Sequence, residues 1–329
     1  MLDDQELLYK IASLYYEERK NQQEISALLD ISRPMISRAL AKAEKLGIVR
    51  IHVIPPAGCS PTEVRLAEKL GITRVVIGQI PAPSANDQEN RIKAIASRAN
   101  EYIAQIVSND MTVGVGWGVT VHHTVLSLSS YPTLKGITVV PIVGSAGRTE
   151  THYQVNIIAD HLAEKLQGNA LFFNIPAFVT DYKIHDFFKR DPQMKAIQER
   201  WKHLDVALIG LGAFGGTPSF PVADYSLSAL EDLQRQRVKG DILGRFFNQE
   251  GILGDVAQDD SLITRNMSDV NSIVYLGIPV ESLKRSKQII CLCGGDQKIP
   301  AIRTAAQFHL FDCLVTDSQT AKELENILG

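Results

Sequence analysis

The sequence predicts two domains of different class: an all-α helix-turn-helix domain at the N-terminus and a larger α/β domain built on a parallel sheet. Three observations predict this. In the first fifty residues, three short stretches repeat apolar side chains every three or four positions, the period of an amphipathic helix. The segment PPAGCSP, from Pro55 to Pro61, then breaks all periodicity. Beyond it, near-continuous apolar runs alternate with helical patterns to the end of the chain, the signature of a parallel sheet covered on both faces. At 329 residues the chain also exceeds the roughly 250 at which single cores stop growing.

Residues 3 to 19 place Leu7, Leu8, Ile11, Leu14 and Tyr15 on one face of a first helix. Asn21 can cap a second, QQEISALLD, whose Ile25, Leu28 and Leu29 share a side. After a tight connection at Asp30 and Ile31, Ser32 begins a third as N-cap, with Pro34 in its first turn where a missing N–H costs nothing, and Gly47 ends it. The alternating, β-branched IVRIHVI, Ile48 to Ile54, reads as a short strand or wing. The domains are therefore 1–54 and 62–329, with 55–61 as linker. Candidate strands of the second domain include VVIGQI, MTVGVGW, ITVVPIVG, ALFFNIPAFV, DVALIGLG, IICLCGG and DCLVTD. The stretches NRIKAIASRANEYIAQIV and NIIADHLAEKL between them are helical.

The formal net charge is −3, but its distribution is uneven. From Arg33 to Arg50 there are five basic residues, Arg33, Arg38, Lys42, Lys45 and Arg50, against the single acid Glu44. A locally positive face on a slightly acidic protein suits nucleic acid. In the third helix Ile36, Leu40 and Ala43 face inward, which leaves Arg33, Met35, Ser37, Arg38 and Lys42 on or near the outer face. Arginine can donate two bonds to guanine O6 and N7, and serine and lysine can serve phosphate or base. Arg33, Ser37 and Arg38 are the foremost candidates. The competing reading is a solvated helical hairpin used in subunit contact.

Asp3, Asp4, Glu6, Glu17 and Glu18 stand where a signal peptide would be basic and then apolar, and no apolar run reaches the length of a membrane span, so the cytoplasm is the expected location. Cys59, Cys291, Cys293 and Cys313 show no C-x-x-C spacing and are expected to be reduced. His122, His123, His152, His161 and His185 offer no recognisable metal-ligand spacing. No metal or cofactor is expected.

LYYEERKNQQEISALLDISRPMISRALAKAEKLGIVRI resembles the N-terminal domain of the SorC family of sugar-binding transcription regulators, whose members include the Bacillus-type deoxyribonucleoside regulator. Three C-terminal segments extend the resemblance over nearly the whole chain. In MTVGVGWGVT a strand enters a helix through a Gly-rich turn, which presents backbone N–H groups to an anion; Gly116, Trp117, Gly118 and Thr120 are candidates for effector contact. PIVGSAGR is similar to the family segment that lies across the sugar site, and the resemblance adds Gly144, Ser145 and Gln154. IICLCGGDQKIPAIRTAAQFHLFDCLVTDSQTAKEL is similar to the family's C-terminal signature. There Lys298, after Gly294 and Gly295 and at a helix start, is placed to meet a phosphate. Asp241 in GDILGRFF resembles an acidic position that accepts bonds from sugar hydroxyls, and is equally readable as a turn residue. Asp205 and Asp317, which flank strands, read as structural.

The resemblance implies a Rossmann-like C-terminal domain related to sugar-phosphate isomerases and deaminases, and an operator-binding homo-oligomer, a dimer or tetramer. Its effector is a small carbohydrate, phosphorylated on this reading. Family members that hold an aldehyde as a Schiff base carry lysine where this chain has Val143, so non-covalent binding is expected. The alternatives are a sugar-phosphate isomerase- or deaminase-like enzyme with an accessory helical domain, and a sugar sensor that does not bind DNA. A deaminase would show Asp-Gly-His where GLGAFGGTPSF has Phe214, Gly215 and Gly216, which disfavours turnover.

Overall fold

A computed structural model of the chain describes residues 5–16, 18, 20–46, 48–49, 60–80, 87–131, 133–145, 153–179, 182–214, 231, 233–253 and 274–329. The chain divides into two compact units, Met1–Pro56 and Ala57–Gly329. Most of the expected wing and linker, 50–59, lies outside the described residues, as do Cys59, His152, Gly215 and Gly216.

The first unit holds three helices, α1 (Gln5–Tyr16), α2 (Gln22–Leu29) and α3 (Arg33–Lys45). Each contributes one apolar face to a small core: Leu8, Ile11 and Leu14 from α1, Ile25 from α2, and Ile36, Ala39, Leu40 and Ala43 from α3. Asn21 caps α2 through a reciprocal pair: its Oδ1 accepts from the N–H groups of Gln23 and Glu24 at 2.9 and 3.0 Å, and the Glu24 carboxylate accepts from Asn21 N–H at 2.8 Å. Asp30 ends α2 in the left-handed region, φ +52°, and Ser26 Oγ donates to Ile31 O at 2.6 Å, which holds the turn closed. The Ser32 carbonyl then accepts from Met35 and Ile36, starting α3.

In the second unit Pro61, assigned to the linker from sequence, is already the first residue of α4 (Pro61–Leu70). Glu63 on its first turn is buried, and its carboxylate accepts from Ser60 N–H at 3.3 Å and from Ile77 N–H at 2.7 Å, with Arg98 at 3.9 Å. The elements that follow are β1 (Arg74–Gly78), α5 (Asp87–Ile106), β2 (Thr112–Val115), α6 (Val119–Ser127), β3 (Thr138–Pro141), α7 (Val155–Lys165), β4 (Asn169–Ala170) and β5 (Phe178–Val179). Then come α8 (Tyr182–Arg190), α9 (Pro192–Trp201), β6 (Val206–Ala213), β7 (Gly240–Ile242), β8 (Arg245–Asn248), β9 (Gly251–Ile252), β10 (Val274–Tyr275) and α10 (Val280–Lys284). The chain closes with β11 (Gln288–Leu292), α11 (Ile299–Gln307), β12 (Cys313–Asp317) and α12 (Ser318–Leu328).

The main sheet runs β1-β12-β11-β6-β2-β3-β4, and every neighbouring pair on that path is parallel. Its central strands are apolar throughout because both faces are covered. On one face α5, α6 and α7 bury Ile95, Ile103, Val121 and Leu162. On the other, α4, α9, α11 and α12 bury Leu66, Trp201, Ile302 and Leu324. From β2 the chain winds outward to β3 and β4; from β6 it winds the opposite way to β11 and β12. The winding reverses between β2 and β6, and a crevice opens at the carboxyl ends of strands at such a point. The far half of β6 also carries an antiparallel ribbon: β7 pairs with Leu211–Ala213 and sets Asp241 opposite Gly212. Buried Arg245 on β8 holds the ribbon's base, donating to Ile278 O at 2.6 Å and stacking 4.0 Å over the Tyr275 ring.

Cys291, Cys293 and Cys313 are free and buried. Burial pushes the Cys291 thiol well up, and that of Cys313 from 9.0 to about 12. The native state therefore holds the Cys313 proton at pH values where an unfolded thiol has lost it. Stability is fully retained below about pH 9 and falls as pH rises toward 12. Urea midpoints measured from pH 8 upward should decline less steeply for Cys313→Ala than for the parent; equal slopes would show that this thiol does not contribute.

Candidate functional site

A cavity of about 430 Å³ occupies the crevice where the winding reverses. Four segments build it. The turn after β2 supplies Trp117, Gly118 and Thr120; the end of β6 and its ribbon supply Gly210, Gly212 and Asp241. The loop after β11 supplies Gly294 through Lys298, and the first half of α5 supplies Gln88, Arg91, Ile92 and Ile95.

Gly118 stands at the start of α6 with φ +132°, a conformation glycine adopts without strain, and its carbonyl accepts from His122 N–H at 2.9 Å. The first N–H groups of α6, including that of Thr120, have no acceptor within the helix. They also carry the positive end of its dipole. Trp117 is buried as one wall, with its ring 6.4 Å from that of Phe178. Gly116 sits one residue deeper and does not line the cavity: its N–H donates to Leu208 O at 2.9 Å.

Lys298 ends a single 3-10 turn, Asp296–Lys298, and stands at the N-cap of α11. Its Nζ donates to Leu211 O at 2.8 Å, and among the described residues it has no carboxylate partner. Asp241 is buried, with Oδ2 accepting from Gly244 N–H at 3.2 Å. Trp117, Gly118, Thr120, Asp241 and Lys298, drawn from three distant parts of the sequence, thus share one cavity.

Gly144, Ser145 and Gln154 do not line it. Gly144 N–H donates to Leu276 O, and Ser145 exchanges backbone bonds with Ile175 and Ala177. A Cβ on Gly144 would stand 2.5 Å from Pro176 O, so glycine is required there for close approach of two chain segments. Gln154 is half-buried at the N-cap of α7. Residues 146–152, between them, lie outside the described residues. Val143 is fully buried in the core.

Sequence reasoning missed Arg91, which reaches the cavity from α5. Its guanidinium pairs with the fully buried carboxylate of Asp317, Nε to Oδ2 at 3.3 Å, and donates to Gln319 Oε1 at 3.2 Å. Only the pairing of β1 with β12 brings α5 over that carboxylate, and no local pattern announces it.

In the N-terminal unit, Arg33, Ser37 and Arg38 are exposed on α3, and Met35 and Lys42 are half-buried. Among the described residues Arg33 and Arg38 form no ion pair. Among the described residues no group of three or more His, Cys, Asp or Glu side chains is placed to hold a metal, and no helix is long and apolar enough to cross a membrane.

The family model described as "Putative sugar-binding domain" matches residues 54–326. The chain belongs to the SorC family of sugar-binding transcription regulators. It is 28% identical over 326 residues to the sorbitol operon regulator of Klebsiella pneumoniae, covering 98% of each chain. It is 25% identical over 327 residues to the deoxyribonucleoside regulator of Bacillus subtilis, covering 99% of each. The crystal structure of full-length SorC from K. pneumoniae superposes with a TM-score of 0.82 at 27% identity, covering 98% of both chains. These SorC-family relatives are named as regulators, and the resemblance spans both of the present units.

Proposed function

We propose that this SorC-family protein is a cytoplasmic, operator-binding transcription regulator controlled by a small phosphorylated carbohydrate that binds reversibly in the cavity. The observation that carries the reading is the pairing, in one crevice, of a lysine that has no carboxylate partner among the described residues and a helix start with a buried carboxylate. Lys298 and the N–H groups at the start of α6 suit a phosphate. Asp241 suits sugar hydroxyls, which donate to a carboxylate. Trp117 supplies an apolar wall against which the carbon skeleton can pack. The buried Val143 offers no amine for a Schiff base, in keeping with non-covalent binding and with regulation rather than turnover.

The first unit acts as a helix-turn-helix, with α3 in the major groove; Arg33, Ser37 and Arg38 address bases and phosphates, with Met35 and Lys42 beside them. Reading two half-sites requires at least a dimer, and a tetramer joined through the C-terminal units meets the same need. The effector shifts operator affinity to the extent that it binds one arrangement of the oligomer more tightly than another.

The test uses an operator selected from random duplexes by the full-length chain, together with a panel of free and phosphorylated pentoses, hexoses and hexitols. At least one phosphorylated member should raise the melting midpoint and change operator affinity. Arg38→Ala should weaken operator binding by about 1–3 kcal/mol while leaving the midpoint shift intact. If Arg38→Ala binds the selected duplex as tightly as the parent, α3 is not the reading helix. Turnover of any sugar in the same samples would restore the enzyme reading.

A further inference from the structure

Two cations among the described residues line the cavity, and they are held in different electrostatic states. Lys298 leans on a carbonyl and has no carboxylate partner among the described residues. Arg91 lies against Asp317, a carboxylate with 0% exposure, and its Nη2 is also 3.9 Å from the exposed carboxylate of Asp296. Its charge is already matched. An anion entering the cavity therefore gains most of its attraction from Lys298, while Arg91 offers direction without net charge.

The geometry of the pair is tightly held. Asp317 Oδ1 accepts from the N–H groups of Gln319 and Thr320, and Oδ2 accepts from Thr320 Oγ1 at 2.6 Å. The Thr320 hydroxyl oxygen in turn accepts from Gly295 N–H at 2.7 Å. A Cβ on Gly294 would collide with Asp317 Oδ2, and Gly295 lies at φ +112°, with Arg91 Nη1 at 3.5 Å from where its Cβ would be. The two glycines thus let the Arg91–Asp317 pair lie flat beneath the loop that carries Lys298. Guanidinium donors form a rigid planar fork. Here Nη2 donates to Gln319 Oε1, and the buried Nε faces Asp317 Oδ2 at 3.3 Å as an ion pair without hydrogen-bond geometry; among the described residues the two N–H groups of Nη1 have no acceptor, on a side chain that is 17% exposed and lines the cavity.

We infer that Arg91 is a specificity-determining residue of the effector site: its Nη1 edge reads uncharged oxygens, hydroxyl or carbonyl, of the ligand. This rests on the reading of the cavity as a phosphorylated-carbohydrate site, and divides the labour within it. Lys298 supplies attraction common to all phosphorylated ligands. Arg91 distinguishes among them, because a buried donor left unmatched by a deoxygenated ligand costs more than a missing contact on a flexible surface.

The experiment uses the full-length chain and tryptophan fluorescence, with two probes: inorganic phosphate, and the panel member giving the largest parental midpoint shift, measured beside its deoxy analogues. Arg91→Lys keeps the positive charge against Asp317 and removes the fork. It should weaken binding of the selected sugar phosphate at least tenfold and reduce its discrimination against at least one deoxy analogue by a similar factor. Inorganic phosphate should bind within twofold of the parent. Unchanged discrimination overturns the inference, and so does an equal loss for phosphate and sugar phosphate, which would make Arg91 a general anion contact. Should Arg91→Lys not fold, the double variant Arg91→Gln, Asp317→Asn removes both charges together and is held to the same outcomes. If the parent binds neither phosphate nor any panel member, the cavity reading itself fails, a result distinct from binding that is indifferent to Arg91.

Discussion

Asp317→Ala should lower the stability of the C-terminal unit by about 3–5 kcal/mol. The carboxylate is fully buried, yet it makes three hydrogen bonds and one ion pair. Removing it uncaps α12, which alone costs about 1 kcal/mol. It also leaves the Arg91 guanidinium, 17% exposed, with only the distant Asp296 among the described residues for charge compensation, and breaking one side of a buried pair is far costlier than never having built it. Urea denaturation followed by tryptophan fluorescence is the suitable measurement, because both tryptophans of the chain, Trp117 and Trp201, lie in this unit. A loss below about 1 kcal/mol would show that the pair and the cap contribute little net stability.

Lys298→Ala should raise the dissociation constant for the phosphorylated effector by about tenfold to a hundredfold, the range of a charge-assisted hydrogen bond worth about 1.5–3 kcal/mol. The ammonium is already placed by its bond to Leu211 O, so little ordering is required on binding. Operator affinity without effector should be unaffected, while the response to effector shifts to higher concentration. An unaltered response to every phosphorylated sugar would remove Lys298, and with it the phosphate, from the site.

Features set by neighbours in sequence were legible before any coordinates. The Asn21 cap of α2 is a local event, which the structure completes with Glu24 three residues on; so are the Ser32 and Pro34 helix start and the apolar strands β2, β11 and β12. Gly118 and Lys298 stand between a strand and a helix and Thr120 lies in the first turn of α6, a context that aims them at the carboxyl edge of a parallel sheet, and they do line the cavity. Arg91 was not legible: it sits on a helix whose pattern reports only its buried face, and its partners lie more than 200 positions away. Gly144 illustrates the converse problem. A glycine that admits a neighbouring backbone and a glycine that admits a ligand look alike in sequence, and here the space beside it is taken by Pro176. Asp241, readable as a turn residue or a ligand contact, lies in a strand paired with Gly212, a placement fixed by the antiparallel ribbon and not by its immediate neighbours.

The carboxylate of Glu63 grips the chain at its point of entry to the C-terminal unit, touching the backbone of Ser60, the backbone of β1 and Arg98 on α5 at once. A rope made fast to three cleats has no slack at its anchor. Ser60 is tied through Glu63 to β1 and α5, and α5 is the same rod that presents Arg91 two turns earlier, about 10 Å along its axis. The place where the chain leaves for its smaller unit and the wall of the cavity are thus mounted on one stiff spar.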